Sequence, residues 1–367
     1  MSAELEASSV AVVLGTRPEV VKLAGVIRLL GGAARVVHTG QHFDPNLSDV
    51  FFDDLGLSGP TAQLAVGGAT RSAQIGQAIV GLDELFTARR PQAVVVQGDT
   101  NAVLAASMAA NALDIPLVHV EAGLRSFDRR MPEEHNRVVA DHLADLCLAP
   151  TEVNRSNLEA EGITGQRVVV TGNTVVEAVE ELLPSAEARK AVLDEHGLAR
   201  GEFVLATIHR PENVDDPETL AAVLDQLASL PLPVVFSIHP RTGRRVSDFG
   251  LSDRLAPLTV IPPVGYPVFL ALLAESAFAV SDSGGVQEEV SVLKRGVIVI
   301  RRSTERPEVV GTFAELALPG PELGELGRRW SADVAGLHAR LADVPCPYGD
   351  GGASRRSVDA LRRLLAE

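Results

Sequence analysis

The chain has 367 residues, of which 46% are hydrophobic and 22% are charged, and its net charge is −15. This size and composition predict about two globular domains, and the acidic charge argues against general nucleic-acid binding, which requires a basic surface. No apolar run approaches the roughly 20 residues that span a bilayer, so no membrane segment is predicted. Cys147 and Cys346 form no disulfide framework or metal-binding spacing. Because the N-terminus also lacks a signal-peptide pattern, a reduced, cytoplasmic setting is expected.

Short apolar runs alternate with longer helical patterns in the first half of the chain. Continuous runs of Val, Ile and Leu separated by helices are typical of buried parallel strands. The predicted strands are 10–14, 35–38, 93–97, 117–120, 146–148 and 168–170. The predicted helices are 20–30, 72–88, 101–111, 134–143 and 152–161.

The alternation then starts again after a polar stretch, 183–202, which is interpreted as a helix plus linker. The second set of strands is 203–207, 234–237, 258–261, 278–281 and 297–300, with helices at 217–230, 266–273 and 286–293. The pattern predicts an α/β fold with two doubly wound, Rossmann-like domains, 1–180 and 200–350, which face each other across a cleft. Residues 351–367 are predicted to form an amphipathic C-terminal helix that packs back on the first domain.

Polar clusters follow most of the predicted strands. Because ligands of open parallel sheets bind beyond the carboxyl ends of the strands, these clusters together predict a binding site. Taken singly, each is also explained by a helix cap or a loop residue. The clusters are Gly15-Thr-Arg-Pro-Glu19, Thr39-Gly-Gln-His42, Gly98-Asp-Thr-Asn101, Glu121-Ala-Gly-Leu-Arg125, His209-Arg-Pro-Glu-Asn213, His239-Pro-Arg241 and 281–285.

The segment 281–289, SDSGGVQEE, joins a predicted strand to a predicted helix. Its glycines and the helix N-terminus offer unpaired N–H groups to a phosphate, and Glu289 suits a ribose diol. The segment therefore indicates a nucleotide diphosphate, although an ordinary strand–turn–helix joint explains it about as well.

The remaining polar residues indicate acid–base chemistry on an anionic substrate. The sequence has no HExxH, CxxC pair or Asp-x-Asp, no GxGxxG after the first strand and no GxxxxGK[ST], so no metal or cofactor is predicted. Three carboxyls, Asp99, Glu121 and Glu133, are candidate acids and bases. Simpler roles stay open: Asp99 as a helix cap, Glu133 as an acid in a first helical turn, and Arg306 in a surface salt bridge.

Taken together, the polar segments resemble the non-hydrolysing UDP-N-acetylglucosamine 2-epimerase family. The resemblance covers nearly the whole chain in order. Its two long blocks, HVEAGLR…PEEHNR at 119–137 and DSGGVQEE…TERPE at 282–308, are specific to the family. The segments are GTRPEVVKLAGVI, TGQH, QGDTNAV, HVEAGLRSFDRRMPEEHNR, TGNTVVEAV, HRPENVD, HPRT, SDSGGVQEE, TERPE and PYGDGGAS.

The resemblance implies a GT-B fold with the substrate in the interdomain cleft. It also implies reversible conversion of UDP-GlcNAc to UDP-ManNAc, by elimination and re-addition of UDP through a 2-acetamidoglucal, without metal or cofactor. Asp99, Glu121, Glu133 and His209 match the family's catalytic residues. The predicted substrate- and UDP-binding residues are Arg17, Lys22, His42, Arg210, His239, Ser283, Gly284, Gly285, Glu289 and Arg306. A homodimer is typical of the relatives.

Three departures from the family pattern are visible. Residues 290–296 read VSVLKRG where Leu-Gly-x-Pro is common, and Pro211 stiffens the segment in which it lies. The third departure is Phe43-Asp44 after His42, in place of the Gln-bearing variant of members that bind a second UDP-GlcNAc. It puts activation by a second UDP-GlcNAc in doubt. The alternatives are a GT-B glycosyltransferase, a hydrolysing epimerase acting on a related UDP-sugar, and a noncatalytic UDP-sugar binding protein. The three acid–base carboxyls favour the epimerase over the glycosyltransferase and the binding protein, and the hydrolysing epimerase stays open as an alternative.

Overall fold

The computed structural model describes residues 5–41, 52, 55–68 and 70–366. The chain divides into two compact units. The first contains Met1–Ala178 together with Tyr348–Glu367, and the second contains Val179–Pro347.

The first unit contains a seven-stranded parallel sheet with the order β3-β2-β1-β4-β5-β6-β7. Its central strands are rich in Val and are buried on both faces by helices, so they form the core of the unit. They are β1 (Val10–Leu14), β2 (Ala34–His38), β3 (Ala62–Gln63), β4 (Ala93–Gln97), β5 (Leu117–Val120), β6 (Leu146–Ala149) and β7 (Val168–Val170). The register pairs Val12 with Val36 on one side and with Val95 on the other.

The helices of the first unit are α1 (Arg17–Leu30), α2 (Arg71–Ala88), α3 (Asn101–Ala112), α4 (Pro132–Leu143), α5 (Glu152–Ala160) and α15 (Ala353–Leu364), and α6 (Val175–Leu182) begins in this unit and ends in the second. Helix α15 packs against α1. Its entry is fixed by hydrogen bonds from the Asn173 N–H to the Tyr348 carbonyl, 2.8 Å, and from the Ser354 N–H to Glu177 Oε1, 2.8 Å. The residues after 347 therefore complete the first unit.

The second unit contains a six-stranded parallel sheet with the order β10-β9-β8-β11-β12-β13. The strands are β8 (Val204–Thr207), β9 (Val234–Ser237), β10 (Thr259–Ile261), β11 (Phe278–Ser281), β12 (Val297–Ile300) and β13 (Ala314–Ala317). The helices are α7 (Ala186–Glu195), α8 (Pro211–Val214), α9 (Pro217–Ala228), α10 (Pro240–Asp248), α11 (Tyr266–Glu275), α12 (Gly284–Leu293), α13 (Pro321–Ser331) and α14 (Val334–Ala342).

The two parallel sheets confirm the predicted α/β fold class. In each unit the strand order reverses once, between β1 and β4 in the first and between β8 and β11 in the second. Crevices at such reversals are the usual ligand sites of open α/β sheets. The loops after these four strands carry four of the polar clusters recognised in the sequence. Among the described residues, no helix is both long enough and apolar enough to cross a membrane.

Candidate active site

Glu121 lies at the carboxyl end of β5 and is buried against a cation. Its Oε2 is 2.6 Å from the Nζ of Lys22, which comes from α1, and accepts a hydrogen bond of 2.6 Å from Gln97 Nε2 at the end of β4. Glu121 has a φ of 65°, an uncommon conformation for a residue with a side chain. Such backbone strain is concentrated at functional sites. The Glu121 side chain therefore connects α1, the end of β4 and the end of β5.

Asp99 lies on the loop after β4 and forms an ion pair with the buried guanidinium of Arg137. The same guanidinium is 2.6 Å from Glu134 Oε2. Glu134 in turn accepts hydrogen bonds from Ser126 and from the N–H of Phe127. A planar guanidinium shared by two carboxylates orients both of them. Asp99 is thus held by a residue of α4.

Glu133 lies in the first turn of α4 and is half-buried. Asn136, three residues further along the same helix, donates a hydrogen bond of 2.8 Å to the main-chain carbonyl of Asp99. Helix α4 consequently carries the third candidate carboxyl and two groups that hold the loop of the first. Asp99, Glu121 and Glu133 belong to connected elements of one edge.

Glu19 is a buried carboxyl that the sequence did not single out. It accepts hydrogen bonds from the Gly15 N–H at 3.0 Å, from Thr16 Oγ1 at 2.8 Å and from Thr100 Oγ1 at 2.9 Å. Burial raises the pKa of Glu19 to about 7 despite these donors. The side chain links the loop after β1 to the loop after β4, where Asp99 lies.

In the second unit, a buried carboxylate organises the loop after β8. Asp282 follows β11 and accepts hydrogen bonds from the main-chain N–H groups of His209 and Arg210 and from Asn213 Nδ2. Its Oδ1 is 3.0 Å from His209 Nδ1. Burial acts to raise the pKa of Asp282, but these partners outweigh it and lower the pKa below its ordinary value. The His209 ring lies 5.3 Å from that of His239.

Helix α12 begins directly after Ser283, and its N-terminus is packed closely by Arg306. The Nε of Arg306 is 2.7 Å from Glu288 Oε1, and its NH1 pairs with Glu305. A Cβ placed on Gly284 would lie 2.6 Å from Arg306 NH1, so a side chain there would require the Arg306 ion pairs to shift. Gly285 has no such neighbour within 3.5 Å. Its nearest is Glu289 Oε1, 3.6 Å from a built Cβ, and this oxygen also accepts from the Tyr266 hydroxyl at 3.0 Å.

The geometry is accompanied by similarity across the chain. The profile of the UDP-N-acetylglucosamine 2-epimerase family matches residues 32–362. The chain belongs to this family. It is therefore an enzyme, an isomerase of the nucleotide-sugar 2-epimerase class.

Members of the 2-epimerase family with named activities and solved structures are similar along their whole length. The UDP-N-acetylglucosamine 2-epimerase of Methanocaldococcus jannaschii is 38% identical, with 95% of this chain and 98% of the relative covered. Its crystal structure with UDP-GlcNAc and UDP superposes with a TM-score of 0.86 at 37% identity, covering 97% of this chain and 99% of the other. The UDP-2,3-diacetamido-2,3-dideoxy-D-glucuronate 2-epimerase of Pseudomonas aeruginosa is 34% identical, covering 96% and 99%.

The predicted site residues lie in both units, on or next to the polar edge of each sheet, which is the edge that the carboxyl ends of the parallel strands form. In the first unit lie Arg17, Lys22, Asp99, Glu121 and Glu133, and in the second His209, Arg210, His239, Ser283, Gly284, Gly285, Glu289 and Arg306. His42 and the neighbouring Phe43-Asp44 lie outside the described residues. Arg17 begins α1, and burial lowers the pKa of its guanidinium.

Two of the simpler sequence interpretations are wrong. Asp99 is not the cap of α3, because the cap is Thr100, whose Oγ1 accepts from the Val103 N–H. Arg306 is not in a surface salt bridge, because it and its partners Glu288 and Glu305 are buried. The helix-start interpretation of residues 132–134 is correct, since α4 begins at Pro132.

The sequence analysis missed the groups that hold the candidate residues in place. They are Glu19, Gln97, His119, Glu134, Arg137, Asp141, Asp282, Glu288 and Glu305. Most of them lie inside the family-specific sequence blocks, and this position was the only feature of the sequence that could have drawn attention to them. Several of the contacts join residues that are distant in sequence, however, such as Gln97 with Glu121 and Arg137 with Asp99, and local patterns do not reveal these.

Proposed function

We propose that this epimerase interconverts UDP-GlcNAc and UDP-ManNAc by eliminating UDP to a 2-acetamidoglucal and re-adding it with a proton on the opposite face of C2. The observation that supports the proposal is that Asp99 and Glu121, which follow neighbouring strands of the first unit, are ion-paired to Arg137 and Lys22, while Glu133 lies on the same helix as Arg137. The named activity of the archaeal relative supports the same reaction.

The chemistry of the substrate accounts for this residue set. The C2 proton of UDP-GlcNAc is not adjacent to a carbonyl, so direct removal and return of that proton is unfavourable. Elimination instead forms a C1–C2 double bond while the C1–oxygen bond to UDP breaks. The step needs a base for the C2 proton and stabilisation of the diphosphate as it leaves. Re-addition needs an acid on the other face of C2.

We assign the acid and base functions to Asp99, Glu121 and Glu133. Asp99 and Glu121 are each oriented by a buried cation, and Glu133 lies on the same helix as Arg137. A cation beside a carboxylate fixes its direction, which the transfer of a proton at carbon requires.

We assign the binding of UDP to the polar edge of the second unit. Helix α12 offers main-chain N–H groups and the positive end of its dipole to a phosphate. Arg210, Arg306 and the paired rings of His209 and His239 supply further donors. We assign Glu289 to a ribose hydroxyl, from which its carboxylate can accept a hydrogen bond. These features are those of an anion site that stabilises a leaving diphosphate.

Proton NMR of UDP-GlcNAc with the purified protein in D₂O tests the reaction. We expect a UDP-ManNAc anomeric signal that grows to a stable mixture, with deuterium at C2 in both sugars. Release of free N-acetylmannosamine and UDP would identify a hydrolysing enzyme. Epimerisation without deuterium at C2 would exclude the elimination route.

A second candidate substrate follows from the Pseudomonas aeruginosa relative, which is named for a UDP-diacetamido-glucuronate. This sugar differs at C3 and C6, while the reacting centre at C2 is the same. Comparison of kcat/KM for the two UDP-sugars decides between them, and we expect UDP-GlcNAc to give the higher value. The predicted homodimer is tested on the same preparation by light scattering.

A further inference from the structure

His119 is a fully buried histidine in the middle of the first unit's sheet. It lies in β5, two residues before Glu121 and beside Cys147 of β6 in the register. Its Nδ1 is 2.7 Å from Asp141 Oδ1, and its Nε2 is 2.7 Å from the main-chain carbonyl of Gly98. Both ring nitrogens therefore face oxygen atoms.

These contacts decide where the protons are. The Gly98 carbonyl can only accept, so Nε2 carries a proton. The other oxygen of Asp141 is 2.7 Å from Arg125 NH1 and accepts from the Gly123 N–H at 3.1 Å, so Asp141 is an anion that accepts from Nδ1. A histidine that donates at both nitrogens is an imidazolium.

The network joins the three elements that carry the candidate carboxyls. Gly98 directly precedes Asp99, and Gly123 lies two residues after Glu121. Asp141 lies on α4, whose first turn carries Glu133. A Cβ on Gly123 would lie 2.3 Å from the Asn154 carbonyl, so only glycine can bring its N–H to Asp141.

We propose that His119, as an imidazolium held by Asp141, is a positioning residue that fixes the loops of Asp99 and Glu121 relative to α4. The proposal rests on the function proposed above for the carboxyls. His119 itself does not act on the substrate, because it lies inside the sheet behind the loops.

The charges around the ring agree with this protonation state. Burial opposes the charge, but the carboxylate of Asp141 outweighs it and raises the pKa of His119 above its ordinary value. Arg125 acts in the opposite direction, and its own charge is shared with Glu161 through a bidentate pair of 2.6 and 2.7 Å. The ring therefore keeps its charge to a higher pH than an ordinary histidine does.

The first test is NMR of protein labelled with ¹⁵N-histidine at pH 7. We expect His119 to show two protonated ring nitrogens, and its signal is identified by its loss in H119Q or H119N. A ring with one bare nitrogen would overturn the proposal. This readout needs no catalytic activity, so it stands even if the chain acts on another substrate. If neither variant folds, the His119 signal is identified instead by assignment of the NMR resonances of the wild-type protein.

The second test separates the two contacts. The amide of H119Q reaches the place of Nε2 and keeps the donor to Gly98, whereas H119N keeps only the donor to Asp141. We expect kcat to fall about tenfold in H119Q and on the order of 100-fold in H119N, since misplacement of reacting groups by about 1 Å costs that much. The Kd for UDP should stay within about twofold, because the UDP site is assigned to the second unit.

H338N is the matched control. His338 also bonds a main-chain carbonyl through Nε2, that of Ala277 at 2.8 Å, but it belongs to the second unit and to neither polar edge. We expect its kcat to equal that of the wild type. Folded H119N with wild-type kcat would overturn the proposal, as would a parallel loss of kcat and UDP affinity.

Discussion

Arg137 and Asp99 form an ion pair that joins the middle of α4 to the loop after β4, and the guanidinium is buried. The two residues are 38 positions apart in the sequence. Because Arg137 also binds Glu134, one cation fixes two carboxylates and the turn at residues 126–127. Asp99 therefore has a defined direction without any bound substrate.

Replacement of this cation tests its role. In R137M the side chain stays unbranched and flexible, but it is shorter and has no charge, and two carboxylates lose their partner. We expect the free energy of unfolding to fall by about 3 kcal/mol, as when one partner of a buried pair is removed. We also expect kcat to fall on the order of 100-fold, because Asp99 is no longer oriented. Urea unfolding and steady-state kinetics measure the two effects.

R155M is the control for R137M. Arg155 lies on α5 and pairs with Glu159 at 3.1 Å, but its side chain is 42% exposed. Surface pairs of this kind contribute about 0.5 kcal/mol. Equal effects of R137M and R155M on kcat would refute the orienting role of Arg137.

Glu121→Gln tests the acid–base assignment. The substitution preserves shape and one acceptor but removes the negative charge next to Lys22. We expect kcat to fall about 10²–10⁴-fold, the usual contribution of a general acid or base. The affinity for UDP, measured by calorimetry, should not change. Turnover near that of the wild type would show that Glu121 is not catalytic, and E159Q on the exposed face of α5 serves as the control.

Gly284→Ala and Gly285→Ala form a matched pair at the start of α12. In G284A the new methyl would lie 2.6 Å from Arg306 NH1 and 3.0 Å from Glu305 Oε1, so the buried ion pairs must shift. We expect a lower melting temperature and weaker binding of UDP. In G285A the nearest atom is 3.6 Å away, and alanine is a better helix former than glycine by about 0.5–1 kcal/mol.

Measurements of melting temperature and of UDP affinity distinguish an effect on stability from an effect on binding in the two glycine variants. G285A should melt at or above the temperature of the wild type. Weaker UDP binding by a stable G285A would place phosphate against that Cα. A G284A protein as stable as the wild type would contradict the close approach of Arg306.

Glu19 predicts a pH dependence of stability. Its pKa is raised by burial from 4.5 to about 7 in the folded chain, so between these values the folded state binds more protons than the unfolded state. Stability therefore falls as pH rises from 4.5 to 7, by up to about 3 kcal/mol from this group. E19Q mimics the protonated side chain and should lose much less stability than the wild type between pH 5 and 8 in urea unfolding.

A variant at an exposed glutamate supplies the comparison for E19Q. E152Q lies in the first turn of α5, where the side chain of Glu152 is 75% exposed. Its stability should follow the wild-type dependence on pH. If E19Q followed it as well, Glu19 would not be the titrating group.

The central strands were predictable because their residue types leave few alternatives. The segment Ala93–Gln97, AVVVQ, was predicted with the bounds that the structure has, since a short Val run flanked by helices is buried on both faces of a sheet. The edge strands β3 and β13 were not predicted. The first has two residues and the second reads AELA, which lacks the β-branched residues typical of strands.

The candidate site was predictable in its positions but not in its contacts. Polar residues after apolar runs indicated Asp99 and Glu121 in the first unit and His209 in the second, because the carboxyl ends of parallel strands meet at one edge of each sheet. The partner of Glu121, Lys22, is 99 residues away, and no local pattern reports such a pairing. Asp282 lies in the polar cluster 281–285, but no role was predicted for it. Its role depends on the main-chain N–H groups of another loop.

The packing of α15 on α1 has a consequence for synthesis. A Cβ on Gly25 of α1 would lie 2.4 Å from Ser354 Oγ, so the two helices approach closely at this point. Ser354 is translated only after the whole second unit, which at about 5–20 residues per second takes on the order of ten seconds. The ribosome therefore delivers the start of the first unit well before its last helix, and the nascent α1 must wait with this face uncovered.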